Sequence, residues 1–141
     1  MHQQVFKEAD ITILSAAVAD YKPVSSEKEK IKKKSDTMAL NLTKTVDIAD
    51  SLGKEKSPKQ MIVGFALETE NELDNAKEKV AKKNFDLIVL NSLQDEGAGF
   101  GHDTNKISII DKAGQIFPYD LKPKKDVAKD IVDKIVEKLD A

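Results

Sequence analysis

Three short runs of the chain, Ile11 to Ser15, Met61 to Ala66 and Asp86 to Leu90, are nearly continuous in Ile, Val, Leu and Ala instead of alternating with polar residues. Strands buried on both faces read this way, because neither side meets water. Between them the period changes to that of helices: Val46 to Gly53, and Asn71 to Asn84, where Leu73, Ala76, Lys77, Val80 and Ala81 form one stripe. Strand alternating with helix predicts parallel βαβ units. After Leu90 the pattern turns to a loop with Gly97, Gly99 and Gly101. Then come Lys106 to Ile110, a turn at Lys112-Ala113-Gly114, and Gln115 to Tyr119, which predict a hairpin at the sheet edge. A last helix is expected from about Lys124, with Pro123 near its first turn and Val127, Ile131, Ile135 and Leu139 as its buried face.

The fold class is therefore α/β: one domain over 1–141, with a mostly parallel sheet. Residues 21 to 37 (YKPVSSEKEKIKKKSDT) are so rich in Lys and Ser that we read them as a mobile, lysine-rich surface flap. Val5 and Phe6 read as the end of a helix feeding the first strand with no strand before it, so the chain is expected to be the later part of a larger domain.

Charge and composition narrow the function classes. With 23 Lys+Arg against 25 Asp+Glu in 141 residues, the net charge of -2 offers no basic face for nucleic acid or an anionic membrane. The absence of Cys excludes disulfides, thiolate nucleophiles and Cys-ligated zinc, and suits a reducing compartment, with the cytoplasm the expected location. The longest apolar-leaning stretch, Ile11 to Ala19, falls far short of the about 20 residues a membrane span needs. His2 and His102 stand apart, and no His and carboxylate spacing suggests a protein-built metal site.

Several segments carry candidate chemistry, each with a plainer alternative. Ala16 to Asp20 follow the first strand, where open α/β sheets place ligands; small residues admit a ligand to the backbone, and Asp20 offers an acceptor for a base amino group or a ribose hydroxyl. A packed strand end with a solvated Asp is the alternative. In the flap, Lys30-Ile31-Lys32-Lys33-Lys34 could close over polyphosphate or simply face water. Leu42 to Ile48 passes from strand to helix, with Thr43 or Thr45 as possible caps and the first helical amides free for an anion. Phe65, after Gly64 at a strand end, could offer a flat face to a nucleobase or belong to the core. Lys79 and Lys83, four apart, lie on one side of their helix and could reach a shared anion. The loop Gly97 to Gly101 precedes a strand, so it lacks the context of a dinucleotide fingerprint and disfavours a nicotinamide-binding domain.

Taken in order, AAVADYKP (16–23), EKIKK (29–33), LTKTVDI (42–48), VGFALET (63–69), KKNFDLIVLN (82–91) and GFGHDTNKISII (99–110) closely resemble the C-terminal part of the phosphopantothenoylcysteine synthetase family. The resemblance runs over nearly all of the chain. It implies a Rossmann-like three-layer α/β/α fold with an antiparallel edge hairpin, lacking the N-terminal part of the family domain. It also implies a ligase of coenzyme A biosynthesis: CTP activates 4′-phosphopantothenate as an acyl-cytidylate, and cysteine then displaces CMP. By that resemblance Ser15, Ala16, Asp20, Val46, Asp47, Ile48, Ala49, Phe65, Lys79 and Lys83 would contact the nucleotide, and Lys30 would be both a contact and the principal catalytic residue.

Mg²⁺ would accompany the nucleotide, FMN would belong only to a fused or associated phosphopantothenoylcysteine decarboxylase, and the assembly would be a homodimer. The departure is at Thr45-Val46-Asp47-Ile48, where bacterial members usually read Asn-Pro-Asp-Ile. Without its N-terminal half the piece is expected to be incomplete for turnover. The competing reading is a non-catalytic nucleotide-binding or dimerisation module, using the strand Met38 to Leu42 and the 106–119 hairpin.

Overall fold

A computed structural model describes residues 2–26, 29, 37–68, 70–92 and 103–140. Lys30, the rest of its lysine run, the loop Gly97 to Gly101 and His102 lie outside the described residues. The elements in chain order are α1 (His2–Glu8), β1 (Ile11–Leu14), β2 (Tyr21–Pro23), β3 (Leu42–Lys44), α2 (Ile48–Glu55), β4 (Met61–Glu68), α3 (Glu72–Lys82), β5 (Leu87–Ser92), β6 (Thr104–Asn105), β7 (Ile107–Asp111), β8 (Ile116–Pro118), β9 (Lys122–Pro123) and α4 (Lys124–Leu139).

Five strands form one sheet in the order β1-β4-β5-β7-β8. β1, β4 and β5 are parallel neighbours, with Leu14 opposite Gly64 and Val63 opposite Leu87; β7 runs against β5, and β8 against β7. Only β7 therefore points the other way, and the hairpin closes one edge as the sequence pattern predicts. Gly114 stands at φ 82 in that turn, the left-handed region that glycine adopts without penalty.

Alternate residues of the central strands feed two cores, which explains their unbroken apolar sequence. Ile62, Ala66, Ile88, Leu90 and Ile110 pack with Phe6 of α1, Leu52 of α2, and Ala76 and Val80 of α3. On the other face Val63, Leu87, Val89, Ile107 and Ile109 pack with Val127, Ile131 and Ile135 of α4. The result is the expected three-layer α/β/α arrangement.

Four details differ from the sequence expectations. β1 is not buried on both faces: Ile11 is 36% and Ile13 45% exposed, because among the described residues β1 pairs with β4 alone and α4 packs over β4, β5 and β7. The α3 stripe narrows to Ala76 and Val80, with Leu73, Lys77 and Ala81 exposed. Leu139 is exposed as well. Residues four apart on a helix rotate by about 40° per step, so the fourth member of the row from Val127 has turned off the sheet. Lys134 fills the vacated side, its ammonium 3.8 Å from the centroid of the Phe117 ring.

The fourth difference concerns the flap, whose first residues are anchored. Tyr21–Pro23 pair antiparallel with Leu42–Lys44 in a separate ribbon, Tyr21 opposite Lys44. Pairing on the return side starts at Leu42, so the strand expected over Met38 to Leu42 is shifted towards Lys44.

Candidate functional site

β1 ends opposite Gly64 while β4 continues to Glu68, so the edge of β4 is uncovered from Phe65 onward. At this step in the sheet lies a hollow of about 460 Å³, a size that suits a small-molecule ligand. It opens at the carboxyl ends of parallel strands, where α/β sheets place their ligands.

The segment after β1 forms one side of the hollow. Thr45 holds that segment to the ribbon: its hydroxyl donates to the Ala19 carbonyl at 2.6 Å and its N–H to the Asp20 carbonyl at 2.9 Å. Neither Thr45 nor Thr43 caps α2. Asp47 does, accepting the Asp50 N–H at 3.0 Å, because only its side chain stands three residues before an unpaired first-turn donor in extended backbone. That N–H holds the Asp47 carboxyl below its ordinary value; partial burial opposes the effect, and Lys83 and the Ala49 N–H reinforce it. The helix start is thus already occupied by a carboxylate of the chain itself.

The far wall is α3. Its C-terminus presses on α2 so closely that a Cβ on Gly53 would stand 2.0 Å from the Lys83 carbonyl oxygen, and the Asn84 amide donates to the Gly53 carbonyl at 2.9 Å. This contact aims the Lys83 side chain back along α2, where its ammonium meets Asp47 at 3.1 Å. Lys79, one turn earlier, is ion-paired with Glu68 at the end of β4. The two lysines border the same hollow, and each already has a carboxylate partner.

The floor depends on a residue without a side chain. A Cβ on Gly64 would lie 2.2 Å from the Phe85 ring, so glycine lets Phe85 seal the base of the hollow. Phe65 does not terminate its strand. It sits fifth in the eight residues of β4, half-buried on the α4 face, and still borders the hollow because β1 has stopped before it.

Ser15, Ala16, Asp20, Val46, Asp47, Ile48, Ala49, Phe65, Lys79 and Lys83, separated by up to 68 positions in sequence, all border this one hollow. Sequence reasoning did not single out Phe85 or Leu14, which also line it. Phe85 was legible only as an apolar residue before the β5 run. Among the described residues no group of three or more His, Cys, Asp or Glu side chains is placed to hold a metal ion, and no helix is long and apolar enough to cross a membrane.

A family model described as DNA/pantothenate metabolism flavoprotein C-terminal domain matches residues 1–139. The chain is 54% identical over 133 residues to a Cysteine/Cysteine sulfinic acid decarboxylase from an unknown prokaryotic organism, covering 94% of this chain and 37% of that protein. It is 44% identical over 131 residues to the Coenzyme A biosynthesis bifunctional protein CoaBC of Bacillus subtilis (strain 168), covering 93% and 32%. The crystal structure of the C-terminal domain of a Coenzyme A biosynthesis bifunctional protein CoaBC superposes with a TM-score of 0.75 at 36% identity, covering 98% of this chain and 61% of that one. The chain spans about a third of the length of these curated relatives.

Proposed function

The chain belongs to the DNA/pantothenate metabolism flavoprotein C-terminal domain family, and from that premise we propose that its hollow is the nucleotide site of a phosphopantothenate–cysteine ligase of coenzyme A biosynthesis. In this reading a carboxylate oxygen of 4′-phosphopantothenate attacks the α-phosphorus of CTP, the bond from that phosphorus to the β-phosphate bridge breaks, and pyrophosphate leaves. The amine of cysteine then attacks the acyl carbon, CMP departs, and the amine proton passes to solvent. The observation that carries the proposal is the meeting of Lys79, Lys83, the α2 start and Phe65 around one cavity of nucleotide size.

The chain's own contribution is electrostatic. Attack of one anion on another, and departure of pyrophosphate, both gather charge. Ammonium groups fixed near those oxygens lower the barrier, and removing one costs about 2–4 kcal/mol. Lys30 is assigned the same task from the flap. Mg²⁺, where it takes part, would be held mainly by the nucleotide's phosphates, since the described residues offer no donor set of three. FMN is assigned to a decarboxylase partner, and the location to the cytoplasm.

Calorimetric titration with CTP, ATP and GTP is expected to show the tightest binding for CTP, with Lys83→Ala and Lys30→Ala each weakening it at least about tenfold. An equal response to the three nucleotides overturns the assignment. In the full-length protein, quenched turnover is expected to yield an acyl-CMP species.

A second copy of the chain is the proposed partner at the ribbon. Tyr21, Val24, Met38, Leu40 and Leu42 there are all more than half exposed, and a two-stranded ribbon gains little stability alone. Light scattering at twice the monomer mass, reduced by Leu42→Asp, supports this; a monomer at all concentrations rejects it.

A further inference from the structure

The described charged residues bordering the hollow are Asp20, Asp47, Lys79 and Lys83, two of each sign. Among the described residues these charges balance, so a polyanion gains attraction from them when a lysine changes partners. The two ion pairs differ in how readily they can. Asp47 is fixed by its cap bond to the Asp50 N–H and itself borders the hollow, so Lys83 is held where a phosphate would lie. Glu68 does not border the hollow. It lies at the end of β4 with a side chain only 14% exposed, and the Asn75 amide approaches its other oxygen at 3.4 Å. Lys79, with 43% of its side chain exposed, spans from the hollow to that carboxylate.

Resting on the nucleotide-site reading above, we propose that Glu68 is a resident counter-anion that neutralises Lys79 in the empty site and competes with an incoming phosphate for it. Any phosphate that takes Lys79 gives up the Lys79–Glu68 pair once, whatever the number of its phosphoryl groups. Asn75, one turn before Lys79, keeps Glu68 in place while the lysine exchanges, donating also to the Glu70 carbonyl at 3.0 Å.

The test is titration of the chain and of Glu68→Gln with inorganic triphosphate and with inorganic phosphate. Removing the competing charge is expected to tighten both phosphate and triphosphate, each about three- to fivefold, the scale of a half-exposed ion pair. Glu68→Asp, which keeps the charge but shortens its reach, is expected to fall between the two and serves if Glu68→Gln does not fold. A purely structural role for Glu68 would weaken both anions together, and that result, or unchanged affinities, overturns the proposal. If the unaltered chain binds CTP but Glu68→Gln binds phosphate no tighter, only the counter-anion role fails. If neither protein binds CTP or triphosphate, the nucleotide-site reading fails with it.

Discussion

β1 and β5 carry the same kind of sequence, Ile-Thr-Ile-Leu against Leu-Ile-Val-Leu-Asn-Ser, and end in opposite surroundings. Leu87 to Leu90 are all buried, with partners on both sides of the strand and helices on both faces. β1 has one partner strand among the described residues, and its isoleucines are partly exposed. A run of aliphatic residues therefore records that a strand belongs to the sheet, while its depth depends on how many neighbours the rest of the chain places around it. The same asymmetry creates the site: a short edge strand beside a long central one leaves the step in which the hollow lies.

The largest expected effect is on the central strand. Ile88→Ala, at a site with no exposure, should cost about 2–5 kcal/mol, read as a lowered urea midpoint at unchanged slope. A cost near that of an exposed position would show β5 to be less enclosed than described.

Next is the hairpin that closes the far edge, where Asp111 tests charge instead of packing. Burial drives its carboxyl upward, but Lys138 at 2.8 Å and the Gln115 and Ala113 N–H groups outweigh burial and hold it below its ordinary value of 3.8. A depressed carboxyl stabilises the fold above its unfolded value, and that contribution disappears as pH falls through the folded one. Asp111→Asn should therefore cost about 2 kcal/mol at neutral pH, and the gap to the unaltered chain should close in acid below 3.8. A gap independent of pH would mean that shape, not charge, makes Asp111 important.

The smallest effect is expected at the near edge. Ile13→Ala should cost less than about 1 kcal/mol, because nearly half of the side chain already meets water. A loss as large as that of Ile88→Ala would erase the difference between the two strands.

Much of this architecture was readable in the order of residues. Helical and extended periods alternate, and the i, i+4 spacing put Lys79 and Lys83 on one side of α3. What escaped reading depended on tertiary neighbours. The cap at Asp47 could not be distinguished from Thr43 or Thr45, because three oxygen-bearing side chains stand within five residues and only the tertiary course of the chain selects one. Gly64 and Phe65 read as a strand end, since nothing local announces that β1 stops while β4 goes on. The carboxylates facing the two lysines were invisible for the same reason: Glu68 is 11 residues from Lys79, and Asp47 is 36 from Lys83.

The abutment of Gly53 on the Lys83 carbonyl has a mechanical side. With no room for even a methyl group between them, and the Asn84 amide bridging the seam, α2 and the end of α3 meet backbone against backbone, and Asp47 and Lys83 close an ion pair across that seam. The lip facing that seam, residues 15–20, is tied instead by side chain and backbone of a single residue, Thr45, so Thr45→Val removes one of its two bonds and leaves the seam intact.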